Sequence, residues 1–296
     1  MAPPTSFLVF INGRSEWTEK YHDLRQRLNI KDSCCVVTWD HRGQGLSDGE
    51  PYHIDDYKTY VADAKKVIQS CVPDDKDFGI VAHSMGGLIA MLGCLSGQLD
   101  PKYLVLTGPL FQIPHRPMNR RWSKPLAKAA CWSGLSFLPT GRSKSQPKFK
   151  RNIFTNSYRR FKALDQSPLP SQPPTFSWVD ATFRATDEIL NTNSLSRYRT
   201  PTLILAGSKE EVVDYHGFSH WARTALASSK TGQIEYVSVV SGKHELLNET
   251  DKVLANVRGK LVGWMQKNDL STEDFEMTGI SHGVAVSPIY NKSTTA

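Results

Sequence analysis

The sequence predicts an α/β fold in which a mostly parallel sheet is covered by helices on both faces. Short, nearly continuous apolar runs rich in β-branched residues alternate with longer amphipathic stretches, which is typical of parallel strands joined by helices. The predicted strands span residues 7–11, 34–38, 78–82, 103–106, 202–206 and 235–240. The predicted helices span residues 19–28, 55–71, 85–96, 215–227 and 250–266.

Length and composition indicate a globular protein of one large domain. The 296 residues include no apolar run near the roughly 20 that a membrane span needs. The first apolar stretch, residues 7–11, is too short for a signal peptide. The five cysteines have no framework or metal-binding spacing, so we expect reduced thiols rather than a disulfide scaffold or a zinc site. We therefore expect a cytoplasmic protein.

The alternation of strands and helices is interrupted once, by a stretch rich in Pro, Ser, Arg and aromatic residues. Residues 110–198 are therefore predicted to form a cap inserted into a core made of residues 7–109 and 199–267. The last residues, 268–296, are polar and lack periodicity, which predicts a flexible tail.

The positive charge is concentrated in this predicted cap. The formal net charge is +7, yet no acidic residue occurs between Asp100 and Asp165, where fourteen Lys and Arg residues are found. The remainder of the chain is consequently acidic. Large apolar residues are interleaved with these cations, namely Trp122, Leu126, Trp132, Leu135, Phe137, Leu138, Phe149, Phe154, Tyr158 and Phe161. Such interleaving suits peripheral contact with an anionic membrane on its inner face; a solvated basic surface over an apolar acyl slot remains the alternative. No nucleic-acid partner is expected.

Ser84 is the predicted nucleophile. It stands in Ala82-His83-Ser84-Met85-Gly86, between a predicted strand and a predicted helix. A nucleophile on a sharp strand–turn–helix junction needs small residues two positions away on either side. Gly86 meets this requirement, whereas alanine replaces the first glycine of the usual pattern. The pentapeptide alone also fits a tight glycine turn without a catalytic role. The other motifs in the sequence are therefore needed to distinguish a nucleophile from such a turn.

Five motifs in order resemble the lysophospholipase and monoacylglycerol lipase branch of the α/β-hydrolases. They are residues 12–16 with Lys20-Tyr21, then 39–47, 83–87, 206–214 and 241–245. The resemblance covers about residues 7–266 and implies an α/β-hydrolase fold and serine chemistry that needs no metal or cofactor. Many relatives have His where this chain has Asn12. The family usually has strands before the first loop, so we expect the leading strands to be missing here or the start to be truncated.

The base and the acid follow from the order of triad residues in this fold, which is Ser, acid, His. The histidines that follow the strand expected to carry the acid are His216, His220, His244 and His282. His244 comes directly after the last strand and is the predicted base. His41 precedes Ser84, and the resemblance marks its loop as scaffold.

The loop after the strand at 202–206 offers three possible acids, Glu210, Glu211 and Asp214. The family pattern selects Glu210, although the usual residue at that position is Asp. A glutamate is one methylene longer and can still bond an imidazole. Asp214 remains the alternative acid.

The loop at residues 12–16 follows the first strand, so its backbone N–H groups are expected at the carboxyl edge of the sheet. The resemblance implies that the N–H groups of Arg14 and Met85 form an oxyanion hole. The predicted function is hydrolysis of a carboxylic ester of a lipid-like substrate, a lysophospholipid or a monoacylglycerol, through an acyl-enzyme. Two alternatives remain: an amide or peptide hydrolase of the same fold, and a catalytically silent binding protein.

Overall fold

A computed structural model describes residues 3–113, 120–142, 148–164, 172–228 and 233–276. Its centre is a six-stranded sheet in which every pair of neighbouring strands is parallel, in the order β2-β1-β3-β4-β5-β6. The strands are β1 (Ser6–Ile11), β2 (Cys34–Thr38), β3 (Phe78–His83), β4 (Leu104–Thr107), β5 (Thr202–Gly207) and β6 (Ile234–Val239). The predicted parallel sheet is confirmed, and β2 lies at one edge of it.

Nine α-helices belong to the described part of the chain. They are α1 (Leu24–Leu28), α2 (Tyr57–Cys71), α3 (Met85–Leu95), α4 (Arg120–Trp132), α5 (Tyr158–Ala163), α6 (Phe176–Glu188), α7 (Thr192–Leu195), α8 (Tyr215–Ser228) and α9 (Asp251–Lys267). Short 3-10 turns occur at Thr18–Tyr21, Phe149–Arg151 and Leu246–Asn248. Within the described residues, no helix is long and apolar enough to span a membrane.

The sheet separates two hydrophobic cores because side chains alternate along each strand. In β1, Val9 and Ile11 face the core shared with α2, α3, α6 and α8, whereas Leu8 and Phe10 face the core shared with α1 and α9. Both strand faces are therefore buried, which explains why the strands are continuous apolar runs.

The segment predicted as a cap contains α4, α5, α6 and α7 between β4 and β5. Helix α4 packs against α6, and α6 in turn contributes Trp178 and Ala181 to the same core as α2 and α3. The hydroxyl groups of Tyr57 and Thr182 are 3.1 Å apart, which joins α2 to α6. The boundaries 110–198 stay a prediction. The C-terminal part of this segment packs in the same hydrophobic core as the strands, through Ile189, Leu195 and Tyr198.

Two sequence expectations need correction. The helix predicted over 19–28 is divided into the 3-10 turn Thr18–Tyr21 and α1, because Lys20 and Tyr21 turn inwards to a buried carboxylate. The tail was predicted from residue 268, but Phe275 is buried and pairs with Ile30 in an isolated antiparallel bridge. The segment 268–276 is therefore anchored on the core by Phe275, and the rest of the predicted tail, 277–296, lies outside the described residues.

Candidate active site

The predicted catalytic residues come from four loops at one edge of the sheet. Ser84 follows β3, the loop containing Arg14 follows β1, Glu210 follows β5 and His244 follows β6. In a parallel sheet the carboxyl ends of all strands lie at the same edge, where open α/β sheets bind their ligands. The fold therefore brings together groups that are far apart in the sequence.

Ser84 occupies a strained turn between β3 and α3. Its φ of 51° is in the left-handed region, which is unfavourable for a residue with a side chain. Gly86 permits this turn: a Cβ added there would lie 2.2 Å from the carbonyl oxygen of Ile11 and 2.4 Å from that of Asn12. Only a glycine lets the start of α3 approach the end of β1 so closely.

The side chains of Ser84, His244 and Glu210 form a continuous hydrogen-bonded chain. The Ser84 Oγ lies 3.0 Å from Nε2 of His244, and Nδ1 of His244 lies 2.8 Å from Oε2 of Glu210. Burial by itself would raise the pKa of Glu210, but attraction and the hydrogen bond from His244, with the N–H groups of Val212 and Val213, lower it. Glu210 is therefore a buried, ionised carboxylate that accepts a hydrogen bond from the imidazole.

The alternative acid and the other candidate histidines have different surroundings. Asp214 accepts from Nε2 of Gln112 at 2.9 Å and from the backbone N–H of His216 at 2.9 Å, at the start of α8. His216 and His220 lie on α8, and His282 lies outside the described residues. Of the candidate pairs within the described residues, Glu210 and His244 are the two that meet at Ser84.

The conspicuous loop at residues 39–47 holds neighbouring loops together. Asp40 accepts hydrogen bonds from the N–H and hydroxyl of Thr18 at 2.7 and 2.8 Å and from the N–H of Leu46 at 2.8 Å. The buried His41 donates from Nε2 to the carbonyl oxygen of Asn12 at 3.1 Å. Burial lowers the pKa of His41 to about 4, so this imidazole is neutral near pH 7. These contacts agree with a scaffold role.

The loop after β1 lies directly against the nucleophile. A Cβ added to Gly13 would be 3.2 Å from the Cβ of Ser84. The N–H of Gly13 donates to Oε2 of Glu16 at 2.6 Å, so it is not available to a substrate. Within the described residues, the N–H groups of Arg14 and Met85 make no hydrogen bond, and Met85 begins α3, whose N-terminal end carries a partial positive charge.

The side chain of Arg14 connects this loop to the capping segment. Its guanidinium lies 5.6 Å from the ring centre of Tyr52 and 5.5 Å from that of Trp178 in α6, and it donates to the carbonyl oxygen of Gln172 at 2.9 Å. Burial lowers the pKa of Arg14. The side chain of Arg14 is thus held by cation–π contacts with both rings and by one hydrogen bond.

Sequence reasoning missed a buried polar cluster beneath the two catalytic loops. Glu16 accepts from Nζ of Lys20 at 2.6 Å and from the hydroxyl of Tyr21 at 2.7 Å, and Lys20 also contacts Glu245 at 2.9 Å. The i,i+4 spacing of Glu16 and Lys20 was a usable signal for this pair, but nothing local relates them to Glu245. Beside the cluster, the ring of His83 lies 4.7 Å from that of His244.

Among the described residues, no group of three or more His, Cys, Asp or Glu side chains is arranged to hold a metal ion. The polar side chains at the site are a carboxylate, an imidazole and a serine hydroxyl, joined in that order by hydrogen bonds. This set can perform nucleophilic catalysis with general base assistance.

Comparison with known families gives a match over most of the chain. Residues 2–251 match the family model described as serine aminopeptidase, S33. The chain belongs to this family. Its membership confirms the serine hydrolase resemblance and, together with the parallel sheet, the predicted α/β-hydrolase fold.

The relatives and solved structures agree with this assignment. The chain is 28% identical over 282 residues to lysophospholipase L2 of Escherichia coli K12, covering 88% of this chain and 81% of that protein. It is 25% identical over 268 residues to a monoglyceride lipase homolog of monkeypox virus, covering 87% and 88%. A soluble variant of the Saccharomyces cerevisiae monoglyceride lipase has the same fold, with a TM-score of 0.72, 19% identity and coverage of 92% and 89%.

Proposed function

We propose that this chain hydrolyses a carboxylic ester of a lipid-like substrate with Ser84 as nucleophile, His244 as general base and Glu210 as the acid that orients His244. The observation that carries the proposal is the unbroken chain from Ser84 Oγ through both ring nitrogens of His244 to Glu210. An imidazole that bonds a serine on one nitrogen and a buried carboxylate on the other is arranged to take up a proton and remain correctly oriented.

The reaction proceeds through an acyl-enzyme. Ser84 Oγ attacks the ester carbonyl carbon while its proton passes to Nε2 of His244, and the carbonyl oxygen becomes an oxyanion that accepts from the N–H groups of Arg14 and Met85. The C–O bond to the alcohol then breaks, and His244 returns the proton to the leaving oxygen. Water repeats the sequence on the acyl-serine and releases the fatty acid.

A lysophospholipid or a monoacylglycerol is the proposed substrate. The relatives named lysophospholipase and monoglyceride lipase support this class. The name of the family suggests an aminopeptidase instead, but such an enzyme must bind a positively charged amino terminus. The interval between Asp100 and Asp165, most of which belongs to the predicted cap, has fourteen Lys and Arg residues and no acidic residue, which favours a neutral or anionic substrate.

Active-site labelling tests the proposal directly. A fluorophosphonate should form an adduct on Ser84 of the folded protein. The Ser84→Ala variant should form no adduct, and its kcat should be lower than that of the wild type by about 10⁶-fold. Lysophospholipids and monoacylglycerols should be hydrolysed faster than short-chain esters and aminoacyl amides. Absence of the adduct would support a silent binding protein, and preference for the amides would support the peptidase alternative.

We also propose that α4 and the residues following it contact an anionic membrane surface peripherally, on its inner face if the protein is cytoplasmic. Three aromatic side chains project here: Trp122 is 68% exposed, Trp132 91% and Phe137 60%. Helix α4 buries small residues, Ala127 and Ala130, so its large apolar side chains face outwards. Exposed aromatics beside basic residues are the composition of an interfacial element.

Vesicle binding tests this contact. The protein should co-sediment with vesicles of phosphatidylcholine and phosphatidylserine more than with phosphatidylcholine alone, because each engaged Lys or Arg contributes on the order of 1 kcal/mol at an anionic surface. Trp132→Ser combined with Phe137→Ser should lower this binding while hydrolysis of a dispersed short-chain ester is retained. Equal binding by the double variant and the wild type would contradict the proposal.

A further inference from the structure

We propose that Lys20 is a positioning residue of the reaction, whose buried ammonium joins the loop carrying Arg14 to the loop carrying His244. This inference rests on the proposed function. It concerns a cluster that the catalytic steps above do not use, made of Glu16, Lys20, Tyr21 and Glu245.

The cluster joins the two loops through one cation. Nζ of Lys20 lies 2.6 Å from Oε1 of Glu16 and 2.9 Å from Oε1 of Glu245. Glu16 stands two residues after Arg14, and its second oxygen accepts from the N–H of Gly13 at 2.6 Å. Glu245 directly follows His244. A single ammonium is thus linked through Glu16 to the loop that carries Arg14, called the oxyanion loop below, and through Glu245 to the loop that carries His244.

The side chains of the cluster are buried, and mutual attraction keeps Glu16 and Lys20 charged in spite of this burial. The side chains of Lys20, Glu16 and Glu245 are only 3%, 5% and 8% exposed. Burial alone would raise the pKa of Glu16, but attraction to Lys20 and His83 and hydrogen bonds from Lys20 and Tyr21 lower it to about 2. The pKa of Lys20 is raised by both carboxylates in spite of burial. Salt in the solvent screens such a pair little.

The backbone of Lys20 is also linked to the loop that follows His244, through the side chain of Arg27. Nη2 of Arg27 donates to the carbonyl oxygen of Lys20 at 2.7 Å, and Nη1 of Arg27 donates to that of Leu247 at 3.2 Å, in the turn that follows Glu245. The ammonium of Lys20 therefore has little freedom to leave its two partners.

Removing the ammonium would leave Glu16 and Glu245 facing each other without a counter-ion. Two buried carboxylates repel each other, and the repulsion acts on the loops that carry the oxyanion donor and the base. The Oγ of Ser84 and the Nε2 of His244 are 3.0 Å apart, so a small shift of the His244 loop breaks the alignment needed for proton transfer, and a shift of the other loop displaces the N–H of Arg14.

The test compares Lys20→Met with Lys20→Arg and with the isosteric Glu245→Gln, in the full chain, using a monoacylglycerol as substrate. We expect Lys20→Met to lower kcat on the order of 10²-fold with KM unchanged. The affinity for an alkylboronic acid, which forms a tetrahedral adduct with the nucleophilic serine, should fall in parallel. Lys20→Arg should retain more kcat than Lys20→Met because a guanidinium can bond both carboxylates. Glu245→Gln should lower kcat less than Lys20→Met because Lys20 keeps Glu16.

A matched control separates positioning from stability. Ile68→Ala truncates a buried side chain in the last turn of α2, at the end of the sheet away from Ser84, and should lower Tm without lowering kcat. The inference is overturned if Lys20→Met retains wild-type kcat, or if kcat merely follows Tm across all variants. It is overturned together with the proposed function if the wild type neither hydrolyses esters nor forms the Ser84 adduct; an active wild type with an unaffected Lys20→Met overturns the inference alone.

Discussion

The two small residues that flank Ser84 have different tasks. Gly86 lies where α3 meets the end of β1, and an added Cβ there would collide with two backbone carbonyl oxygens. Ala82 is an ordinary buried residue of β3, in register with Ile11 of β1 and Leu106 of β4. The departure from the glycine pattern at residue 82 therefore leaves the strained turn intact, because the turn depends on the glycine that follows the serine.

At the residue scale, the identity of the acid can be tested by two isosteric substitutions. Glu210→Gln replaces the carboxylate that His244 contacts at 2.8 Å and should lower kcat on the order of 10⁴-fold by favouring the wrong imidazole tautomer. Asp214→Asn is the matched control, because Asp214 contacts Gln112 and the start of α8. Hydrolysis rates of both variants decide the matter: a loss in Asp214→Asn as large as in Glu210→Gln would contradict the assignment.

The sequence could indicate that Ser84 and His244 meet, because chain order and position after a strand are both visible in it, and the family pattern added Glu210 from three possible acids. It could not predict the links that hold the oxyanion loop. The contact of Arg14 with Trp178 and that of Lys20 with Glu245 join residues more than a hundred positions apart. Charge and burial in the fold create these pairs, and no local spacing indicates them.

At the element scale, the helices that bury their large apolar residues were predicted well from the sequence, and the helix that exposes them was not. Helices α2, α8 and α9 were predicted to within a few residues because each packs an apolar stripe on the sheet, and α3 because it is a continuous apolar run that is buried on all sides. For α4, Ser123 and Pro125 indicate only a short helix that begins near residue 123, whereas the helix extends over Arg120–Trp132 and its large apolar residues face outwards. A helix that buries alanines and exposes tryptophans reverses the pattern on which such a prediction depends.

An ion pair between α1 and α5 should make stability depend on acid pH. Burial by itself would raise the pKa of Asp23, but hydrogen bonds from Arg160 and Arg27 lower it from 3.8 to about 2. A carboxylate with a lowered folded-state pKa contributes stability that is fully present well above its unfolded-state pKa and is lost as pH falls through the folded value.

The corresponding experiment follows Tm of Asp23→Asn against pH. The variant should melt below the wild type near pH 7, and the difference should shrink as pH falls from about 4 towards 2. Asp32→Asn is the control, because Asp32 is fully exposed and 3.9 Å from Arg25, and such a pair contributes little. A difference between Asp23→Asn and wild type that stays constant over this range would exclude the proposed linkage.

At the scale of the whole molecule, the parallel sheet was predictable, but the packing of the segment after α9 against the loop before β2 was not. The segment after α9 returns to the start of β2, where the N–H of Lys31 donates to the carbonyl oxygen of Asp274 at 2.9 Å and that of Glu276 donates to Asn29 at 2.7 Å. In the sequence this segment is polar and aperiodic, with one aromatic residue. A single buried side chain gives no period, so the packing of Phe275 could not be inferred.

Phe275 should therefore stabilise the whole fold although it lies beyond the last helix. Its side chain is 1% exposed and packs in the same core as Leu28, Ile30 and Tyr103. Phe275→Ala should lower the free energy of unfolding by about 3–5 kcal/mol, since it leaves a cavity in a core that the sheet and α9 share. Chemical denaturation measures this loss, and Glu273→Ala, an exposed position in the same segment, is the control. Equal stability of the two variants would mean that residues 268–276 are as loose as their composition suggests.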